Sequence, residues 1–386
     1  MFGRSDTKVE IRIPKLSGSA DPPRFSANLV AAAVVKADRL LSPEGEGSDV
    51  VRLNRAGEGS RVEADPVTVI AVKKALHWRN ATRGAFEPAL GPVKALWESA
   101  AAKPGVPPGE GEILSALELS RASHLAMDPD GCGLSWKREG CMLDLGGVSE
   151  GVAADLALEV LASRGVEHAS VRLGGAVATM GVNTGAKPPA RWDFGFRDPQ
   201  GNAIAPPCPG GVREISGGWR AAAFCGYRQP PGPALGPRGF PGRGRLRDGE
   251  GDRDAESRCR GCCGCGRRFR LLDPASGRPL PAGRAAAAFH PGSAADASAA
   301  AVAMGVLGPA GAERFLSEKG REFFPEGLLA LVFAQGPEGA LDTTSLLLDA
   351  DGGLQVSRNL SPSPESPSGS DRSGAIPLLP LAALSS

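Results

Sequence analysis

The stretch Met142–Asp155 constrains the fold more than any other part of the chain. Its apolar residues up to Leu145 predict a strand, and Gly146 and Gly147 then let the backbone turn without a Cβ clash. Apolar residues recur every fourth position beyond the turn, which predicts a helix. These apolar helix positions are Val152, Leu156 and Val160.

A second glycine pair follows this predicted helix. Gly165 occupies the position of a C-cap glycine, residues 169–173 predict a strand, and that strand stops at Gly174 and Gly175. Backbone N–H groups at a glycine turn and at a helix start favour bound anions. The layout therefore predicts a phosphate-bearing ligand, with an ordinary unit of strands, helix and tight turns as the alternative.

Bulk composition restricts the class of protein but names no partner. The net charge of +1 gives no preference for an acidic or basic partner. No apolar run reaches the ~18 residues that a membrane helix requires, and residues 1–14 lack the apolar core of a signal peptide. We therefore expect no membrane span and, for the chain as written, a cytoplasmic protein.

Three further segments predict helices. Residues 25–41 carry an apolar face at helical spacing, and residues 65–78 carry a second one. A helix rich in small residues is predicted for 294–307 and should stop at Gly308–Pro309. The apolar face predicted for the second helix consists of Val67, Ile70, Val72 and Leu76.

The composition also divides the chain into segments. We set apart an N-terminal segment at 1–24, a folded domain at 25–360 and a disordered Ser/Pro-rich tail at 361–386. Residues at about 206–269 are rich in Gly, Pro and Arg, which predicts a disordered insertion. Its four crowded cysteines, Cys259–Cys265, lack a second pair at zinc-finger spacing, so we interpret them as incidental.

Several blocks of sequence resemble, in order, those of the FAD:protein FMN transferase (ApbE) family. The block Asp144–Asp155 resembles the family's glycine block, which is followed by a helix that carries Asp, and Arg172–Gly175 resembles the strand and glycine pair after it. The other matching blocks are Ser48–Asn54, Thr82–Pro88, Trp192–Pro199, Arg270–Gly277 and Ala295–Ala301. Residues 223–228 are interpreted as the remnant of a further family strand.

The resemblance implies both a fold and a reaction. The fold would be an α/β (α+β) single domain, with mixed sheets, packed helices and a glycine-rich FAD cleft between residues 48–93 and 146–176. The reaction would be the Mg²⁺-dependent transfer of FMN from FAD to a Thr or Ser hydroxyl of an acceptor flavoprotein, with release of AMP. FAD and the acceptor flavoprotein subunit would be the partners.

The resemblance also assigns residues to FAD. Glu87 stands where the family has Asp, which keeps a carboxylate, and an ordinary turn residue is the alternative for Asn54. Trp97 would pack near the flavin or simply in the core. The residues assigned to FAD are Asn54, Phe86, Glu87, Gly146, Gly147, Glu150, Gly174 and Gly175.

The metal site is carried over in the same way. The resemblance assigns Mg²⁺ to the backbone carbonyl of Ser149, the carboxylate of Asp296 and the position of Ala300. A carboxylate oxygen suits Mg²⁺, but Ala300 cannot supply the hydroxyl of the family Thr. The alternative for Asp296 is a helix N-cap.

Three departures fall on the chemical centre of the family. Glu150 stands where the family has Lys, Arg270 where it has His, and Ala300 where it has Thr. The resemblance assigns catalysis to Arg270 and Asp273, although Arg cannot act as a base. His290 would substitute spatially or be an ordinary strand-end histidine. A catalytically weakened FAD-binding homologue is therefore the alternative to an active transferase.

An alternative of another class comes from the Arg/Gly-rich residues 236–270. Such segments bind nucleic acid, but this one carries few aromatic residues for base stacking. A solvated loop is the more common interpretation of such a charge run, so we regard nucleic acid as an unlikely partner.

Overall fold

The computed structural model describes residues 9–14, 24–102, 106–129, 131–185, 192, 196–197, 203–204, 221–226, 271–281, 283–336 and 340–358. Several predicted features lie outside these residues: Arg270, the cysteine cluster Cys259–Cys265, the Arg/Gly-rich residues 236–270 and the tail 361–386.

Helices and antiparallel strands make up the described chain. The helices are α1 (Arg24–Leu41), α2 (Asp49–Arg55), α3 (Pro66–Ala81), α4 (Gly91–Ala102), α5 (Glu110–Leu119), α6 (Ser149–Ala162) and α7 (Ala294–Phe323). The strands are β1 (Val9–Arg12), β2 (Val62–Glu63), β3 (Leu125–Met127), β4 (Gly133–Trp136), β5 (Ala169–Leu173), β6 (Ala176–Met180), β7 (Phe196–Arg197), β8 (Ala203–Ile204), β9 (Ala221–Gly226), β10 (Leu272–Asp273), β11 (Arg278–Pro279), β12 (Ala285–His290), β13 (Leu328–Gln335), β14 (Leu341–Leu348) and β15 (Leu354–Arg358).

An eight-stranded sheet organises the molecule. Its strand order is β1-β5-β6-β9-β12-β13-β14-β15, and every neighbouring pair is antiparallel. The edge strand β1 lies within residues 1–24, which we had set apart from the domain, so the sheet extends into that segment. A three-stranded sheet, β2-β4-β3, and the small ribbons β7-β8 and β10-β11 complete the strands.

Both faces of the sheet are buried at β12 and β13. In β13, Leu328, Ala330 and Val332 point into the larger core cluster, whereas Leu329, Leu331 and Phe333 point into a second cluster. Successive side chains of a strand point to opposite faces, so a strand buried on both sides reads as a continuous apolar run. This explains why residues 328–333 are all apolar.

Helices α6 and α7 cover one face of the sheet. Helix α6 packs on β5 and β6, α7 crosses β9, β12 and β13, and α1 and α3 pack against them from outside. The small side chains of β12 and of the first half of α7 allow this close approach. None of the described helices is both long enough and apolar enough to span a membrane.

The helix predicted for 294–307 begins where expected but continues farther. Gly308 has a φ of 70° and kinks α7, and the helix resumes at Pro309 and runs to Phe323. Pro is tolerated at the first position of a helix because its missing N–H has no intrahelical partner there. Gly308 and Pro309 therefore bend the element instead of ending it.

The strand predicted before Gly146 is wrong. Within residues 140–145 only Met142 makes a β-bridge, a parallel one with Leu90. The N–H of Asp144 donates to Pro88 O at 2.7 Å. This segment therefore runs extended beside residues 88–90, which takes the place of strand pairing.

The predicted insertion at 206–269 was too broad. Residues 221–226 form β9 in the middle of the main sheet, and Ala223 is buried between β6 and β12. The strand expected at 223–228 is thus present as far as Gly226, where the described residues end, although a run of alanines has little intrinsic preference for a strand.

The buried face of α3 differs from the predicted one. Ile70 is 54% exposed, whereas Val69, Val72 and Trp78 are buried. Helix α3 packs against both α1 and α7, so two directions of the helix are buried and a single apolar stripe does not describe it. Overall, the mixture of packed helices and antiparallel sheets confirms the predicted α+β class.

A glycine-to-alanine exchange tests the contact between α6 and α7. A Cβ on Gly151 would lie 2.5 Å from Ala295 Cα and closer still to Ala294 O. We expect Gly151→Ala to lower the free energy of unfolding by about 2 kcal/mol or more, since two backbones would have to separate. Urea unfolding measures this change.

Gly111 in α5 provides the matched control, because a Cβ there meets no atom within 4 Å. Gly111→Ala should leave stability unchanged or raise it by up to about 1 kcal/mol through helix propensity. Equal effects of the two exchanges would contradict the contact.

Candidate functional site

Asn54 fixes the backbone that leads into the first glycine turn. Its amide Nδ2 donates to Leu143 O at 2.9 Å, and its Oδ1 accepts from Leu143 N at 2.7 Å. The side chain thus pairs with Leu143 as a neighbouring strand would. Asn54 lies inside α2 rather than in a turn, so the ordinary interpretation as a turn residue is wrong.

Asp144 and Lys94 hold the same turn from the other side. The Lys94 ammonium lies 2.8 Å from Asp144 Oδ2, and the N–H of Gly146 donates to Asp144 Oδ1 at 2.9 Å. Burial by itself would raise the pKa of Asp144, but the Lys94 charge and the Gly146 N–H outweigh burial and keep this pKa below its ordinary value. The carboxylate therefore stays ionised and keeps the turn closed.

Phe86 packs directly on the first glycine pair. A Cβ on Gly147 would lie 2.6 Å from Phe86 Cε2 and 3.4 Å from Val302 Cγ2 in α7. The absence of a side chain at Gly147 therefore lets the aromatic ring and α7 approach the turn. This contact joins the predicted Thr82–Pro88 block to the glycine block.

The second glycine pair forms the hairpin between β5 and β6. Leu173 pairs with Ala176, so Gly174 and Gly175 form a two-residue loop, and Gly174 has a φ of 54°. The buried Glu150 reaches this loop, and its Oε2 accepts from Gly175 N at 2.8 Å. The Glu150 carboxylate therefore accepts the hydrogen bond from Gly175 N–H, a group that we expected to donate to a phosphate.

The start of α7 rests on α6. Gly151 touches the backbone of Ala294 and Ala295, and Asp155 accepts their two N–H groups at 2.8 and 3.0 Å. Burial raises the pKa of Asp155 to about 6, the N–H groups of α7 oppose this rise, and the charge of Asp296 adds to it. Asp155 thus accepts the hydrogen bonds of N–H groups at the start of α7 that could otherwise donate to a phosphate.

Asp296 lies in the first turn of α7 and points toward α3. Its Oδ1 accepts from Trp78 Nε1 at 2.9 Å, and its Oδ2 forms an ion pair with Lys74. Burial by itself would raise the pKa of Asp296, but Lys74 and the indole N–H outweigh burial and lower it. Ser293, not Asp296, is the N-cap of α7, so the predicted N-cap alternative is wrong.

The residues assigned to Mg²⁺ do not fit a divalent cation. Both oxygens of Asp296 are engaged by Trp78 and Lys74, and the fully buried Ala300 has no side-chain oxygen. Ser149 would supply only a backbone carbonyl, whereas Mg²⁺ is bound by an octahedron of oxygens. In the part of the chain that the structure describes, no group of three or more His, Cys, Asp or Glu side chains could hold a metal ion.

His290 ends strand β12, as the strand-end interpretation predicted. Its Nδ1 accepts from Gly292 N at 3.0 Å and from Ser293 N at 3.2 Å. Burial lowers the pKa of His290, although the nearby Asp296 opposes this. A neutral ring whose Nδ1 accepts hydrogen bonds carries its proton on Nε2.

Glu87 and Trp97 serve the fold. Glu87 Oε1 accepts from Ala89 N and Ala122 N, its Oε2 lies 3.3 Å from Arg79 Nε, and burial raises its pKa. Trp97 lies in the small core between α4 and α5, which favours the core interpretation. Its indole donates to Gly277 O at 2.6 Å.

Asp273 closes the ribbon of β10 and β11. Its carboxylate accepts from Ala275 N at 2.9 Å and from Ser276 Oγ at 2.7 Å, and the residue is half-buried. The other residue assigned to catalysis, Arg270, precedes the described Leu271. The buried Leu271 packs on Gly305, which brings this block against α7.

The structure thus brings most predicted residues around the first turn of α6. Glu150 joins that turn to the second glycine pair, and Gly151 joins it to α7. Sequence reasoning missed Lys74, Trp78 and Asp155 as parts of this site. Asp155 ends the block that resembles the family's glycine block, which was a signal for it, whereas no motif marked Lys74 or Trp78.

Solved structures share this arrangement of sheet and helices. The flavin transferase ApbE from Vibrio cholerae superposes with a TM-score of 0.64 at 17% identity, over 89% of this chain and 94% of that chain. The Pseudomonas stutzeri flavinyl transferase ApbE, apo form, gives 0.61 at 21% identity, over 88% and 94%. The chain therefore has the fold of the ApbE flavin transferases.

The amino-acid sequence also matches the ApbE family. The ApbE family model matches residues 5–216, which is more than half of the chain. The chain belongs to the ApbE family, as its motifs predicted.

Curated relatives carry the name FAD:protein FMN transferase. The one from Treponema pallidum (strain Nichols) is 27% identical over 188 residues, which are 46% of this chain and 52% of the relative. One from Klebsiella pneumoniae (strain 342) is 27% identical over 179 residues, 46% of this chain and 54% of the relative. The chain spans about half the length of these curated relatives.

The raised pKa of Asp155 predicts a pH dependence of stability. Asp155 has an ordinary value of 3.8 and a value of about 6 in the folded chain, so the folded state holds its proton to higher pH than the unfolded state. The free energy of unfolding should therefore fall as the pH rises from about 4 to about 6. Since Asp155→Asn cannot titrate, the variant should gain roughly 3 kcal/mol relative to the natural chain over this range. Urea unfolding at several pH values measures the difference, and parallel curves would contradict it.

The double hydrogen bond of Asn54 predicts a loss of stability. Asn54→Ala removes both bonds to Leu143, which should lower the free energy of unfolding by about 2 kcal/mol. The exposed Asn80→Ala is the control and should change it by less than about 0.5 kcal/mol. Chemical denaturation compares them, and a loss at Asn54 no larger than at Asn80 would refute this role.

Proposed function

We propose that this chain is a FAD:protein FMN transferase. The acceptor would be a flavoprotein subunit that presents a Thr or Ser hydroxyl. The hydroxyl oxygen forms a phosphoester bond with the FMN phosphorus, and the phosphoanhydride bond to AMP breaks. AMP leaves with the bridging oxygen, and the hydroxyl proton passes to a base.

One observation supports this proposal above the others. Two glycine turns and the start of α7 meet at the first turn of α6, in a chain of the ApbE family. Glycine turns and helix starts present backbone N–H groups to phosphates. A pyrophosphate would therefore meet several such elements at one place in the fold, where Asp144, Glu150 and Asp155 already accept the N–H groups of Gly146, Gly175, Ala294 and Ala295.

The FAD-binding residues of the proposal are those that shape this place. Gly146 and Gly147 form the first turn, Asn54 holds the backbone that leads into it, and Phe86 contributes an aromatic ring. Gly174 and Gly175 form the opposite turn. A preorganised site holds the phosphates in line with the attacking hydroxyl.

The proton acceptor of the proposal is Asp273. Arg270 stays protonated, so it pairs with a phosphate rather than taking a proton. The Nδ1 lone pair of His290 faces Gly292 and Ser293, which removes His290 as a base. Asp273 is half-buried and carries a carboxylate in the block that the family uses for chemistry.

Developing charge on the diphosphate also needs positive charge nearby. The resemblance assigns this task to Mg²⁺, but the donors at Ser149, Asp296 and Ala300 do not fit that ion. We therefore route no step of the reaction through a metal.

A FAD-binding homologue with weakened transfer is the second candidate function. The observation that favours it is the carboxylate of Glu150 on the N–H of Gly175 at 2.8 Å. This negative charge repels a diphosphate at the same turn, by roughly 1 kcal/mol at 4 Å in water and more in a dry site. Both candidates bind FAD, and they differ in whether FMN moves.

A transfer assay separates the candidates. The full chain is incubated with FAD and a flavoprotein subunit that carries an acceptor Thr, with Mg²⁺ in one arm and EDTA in the other. We expect flavin fluorescence in the acceptor band of a denaturing gel and an equal amount of AMP by chromatography. An acceptor with Thr→Ala at that position should remain unlabelled.

The Asp273→Asn variant tests the assigned base in the same assay. Loss of general-base assistance should slow labelling about 100-fold or more while FAD binding stays unchanged. FAD retention without label would support the weakened homologue, and no retention under any condition would refute both candidates.

A further inference from the structure

The ion pair between Lys74 and Asp296 joins the middle of α3 to the first turn of α7. The Asp296 side chain is only 12% exposed, whereas the Lys74 side chain is 37% exposed. The ammonium therefore covers a nearly buried carboxylate and keeps one side open to solvent. A buried carboxylate with no counter-charge would be costly in free energy, so the folded state needs the Lys74 ammonium beside Asp296.

The surroundings of Asp296 specify one cation of this kind. Trp78 donates to Oδ1, which leaves Oδ2 for a single charged partner. Ala300, one turn further along α7, adds no oxygen ligand. A divalent ion would need several more oxygens, whereas an ammonium needs only acceptors for its three N–H groups.

The pair also lies beside the glycine turns. Ala294 and Ala295, which directly precede Asp296, rest on Gly151 in the first turn of α6. Glu150, the preceding residue, reaches Gly175. The positive charge of Lys74 therefore lies against the start of α7, the segment that borders the two glycine turns.

The ammonium has donors left for a phosphate. One N–H group of Lys74 points to Asp296, and the exposed side of the same group carries the others. Lysine is a common phosphate binder because it acts as a mobile point charge. A Lys–Asp pair has no net charge, whereas a divalent ion on Asp would keep one positive charge. The pair should therefore bind a phosphate more weakly than the metal site would, but without any metal ion.

We propose that the Lys74 ammonium takes the place of the divalent cation at Asp296, so that this chain binds the FAD diphosphate without a bound metal ion. The inference rests on the proposed FAD site and identifies Lys74 as a phosphate-positioning residue. It removes the need for a third oxygen ligand at Ala300.

FAD binding tests this assignment directly. Quenching of flavin fluorescence gives the Kd for FAD with the full chain, once in EDTA and once in Mg²⁺. The natural chain should show the same Kd in both buffers, within about twofold. A twofold change in Kd corresponds to only about 0.4 kcal/mol of binding free energy, which is too little for the loss of a metal ligand. Lys74→Gln should weaken binding in EDTA about tenfold or more, the effect of removing one screened charge contact.

Two further variants make the test specific. Lys73→Gln removes the exposed neighbouring lysine of the same helix and should bind FAD like the natural chain. Lys74→Arg keeps the positive charge and should retain most of the affinity. Circular dichroism checks that each variant is folded.

The outcomes distinguish this inference from the proposed function. FAD binding by the natural chain that is lost in EDTA and restored by Mg²⁺ would overturn the role of Lys74 and keep the FAD site. Equal Kd values for Lys74→Gln and the natural chain in EDTA would overturn it as well. No FAD binding by the natural chain in either buffer would refute the FAD site itself.

Discussion

The contact between the first turns of α6 and the start of α7 supports the rest of the structure. Gly151 lets the two backbones touch, and the carboxylate of Asp155 accepts the N–H groups of Ala294 and Ala295. Helix termini leave such donors without intrahelical partners, so a buried helix start needs an acceptor from elsewhere. This junction sets the direction of α7 across the sheet, and with it the position of Asp296.

The same junction places two carboxylates close together with opposite pKa shifts. Burial raises the pKa of Asp155 to about 6, and Asp296 adds to the rise. Asp296 itself keeps a low pKa because Lys74 pairs with it. The pKa values of two neighbouring acids move apart in this way when only one of the acids has a cationic partner. The charge on Asp296 is thus maintained by α3, a helix distant in sequence.

The chain has the architecture of its family, and two charged side chains lie at the centre of the fold. A negative side chain, Glu150, reaches the second glycine turn, and a positive one, Lys74, meets Asp296. Ala300 has no side-chain oxygen at the same end of α7. These features agree with the proposed role of Lys74, since an ammonium demands fewer acceptors than a divalent cation.

Local pattern was sufficient to predict much of this fold. Helical spacing identified α1, the beginning of α6 and the small-residue helix at Ala294, and the glycine pairs marked both turns. The strand before Gly146 and the insertion beyond Pro206 were misread because strand formation depends on neighbours that a local window does not contain. The sequence blocks also identified the family.

The sequence by itself determined where the chain turns and which segments are helical, because glycine conformation and apolar spacing act over a few residues. Only the tertiary structure decided which charges meet. Lys74 and Asp296 are 222 residues apart, and Asn54 and Leu143 are 89 apart. Neither pair has a signal in the local pattern, because an ion pair or a hydrogen bond between distant segments forms only when packing brings both partners to one place.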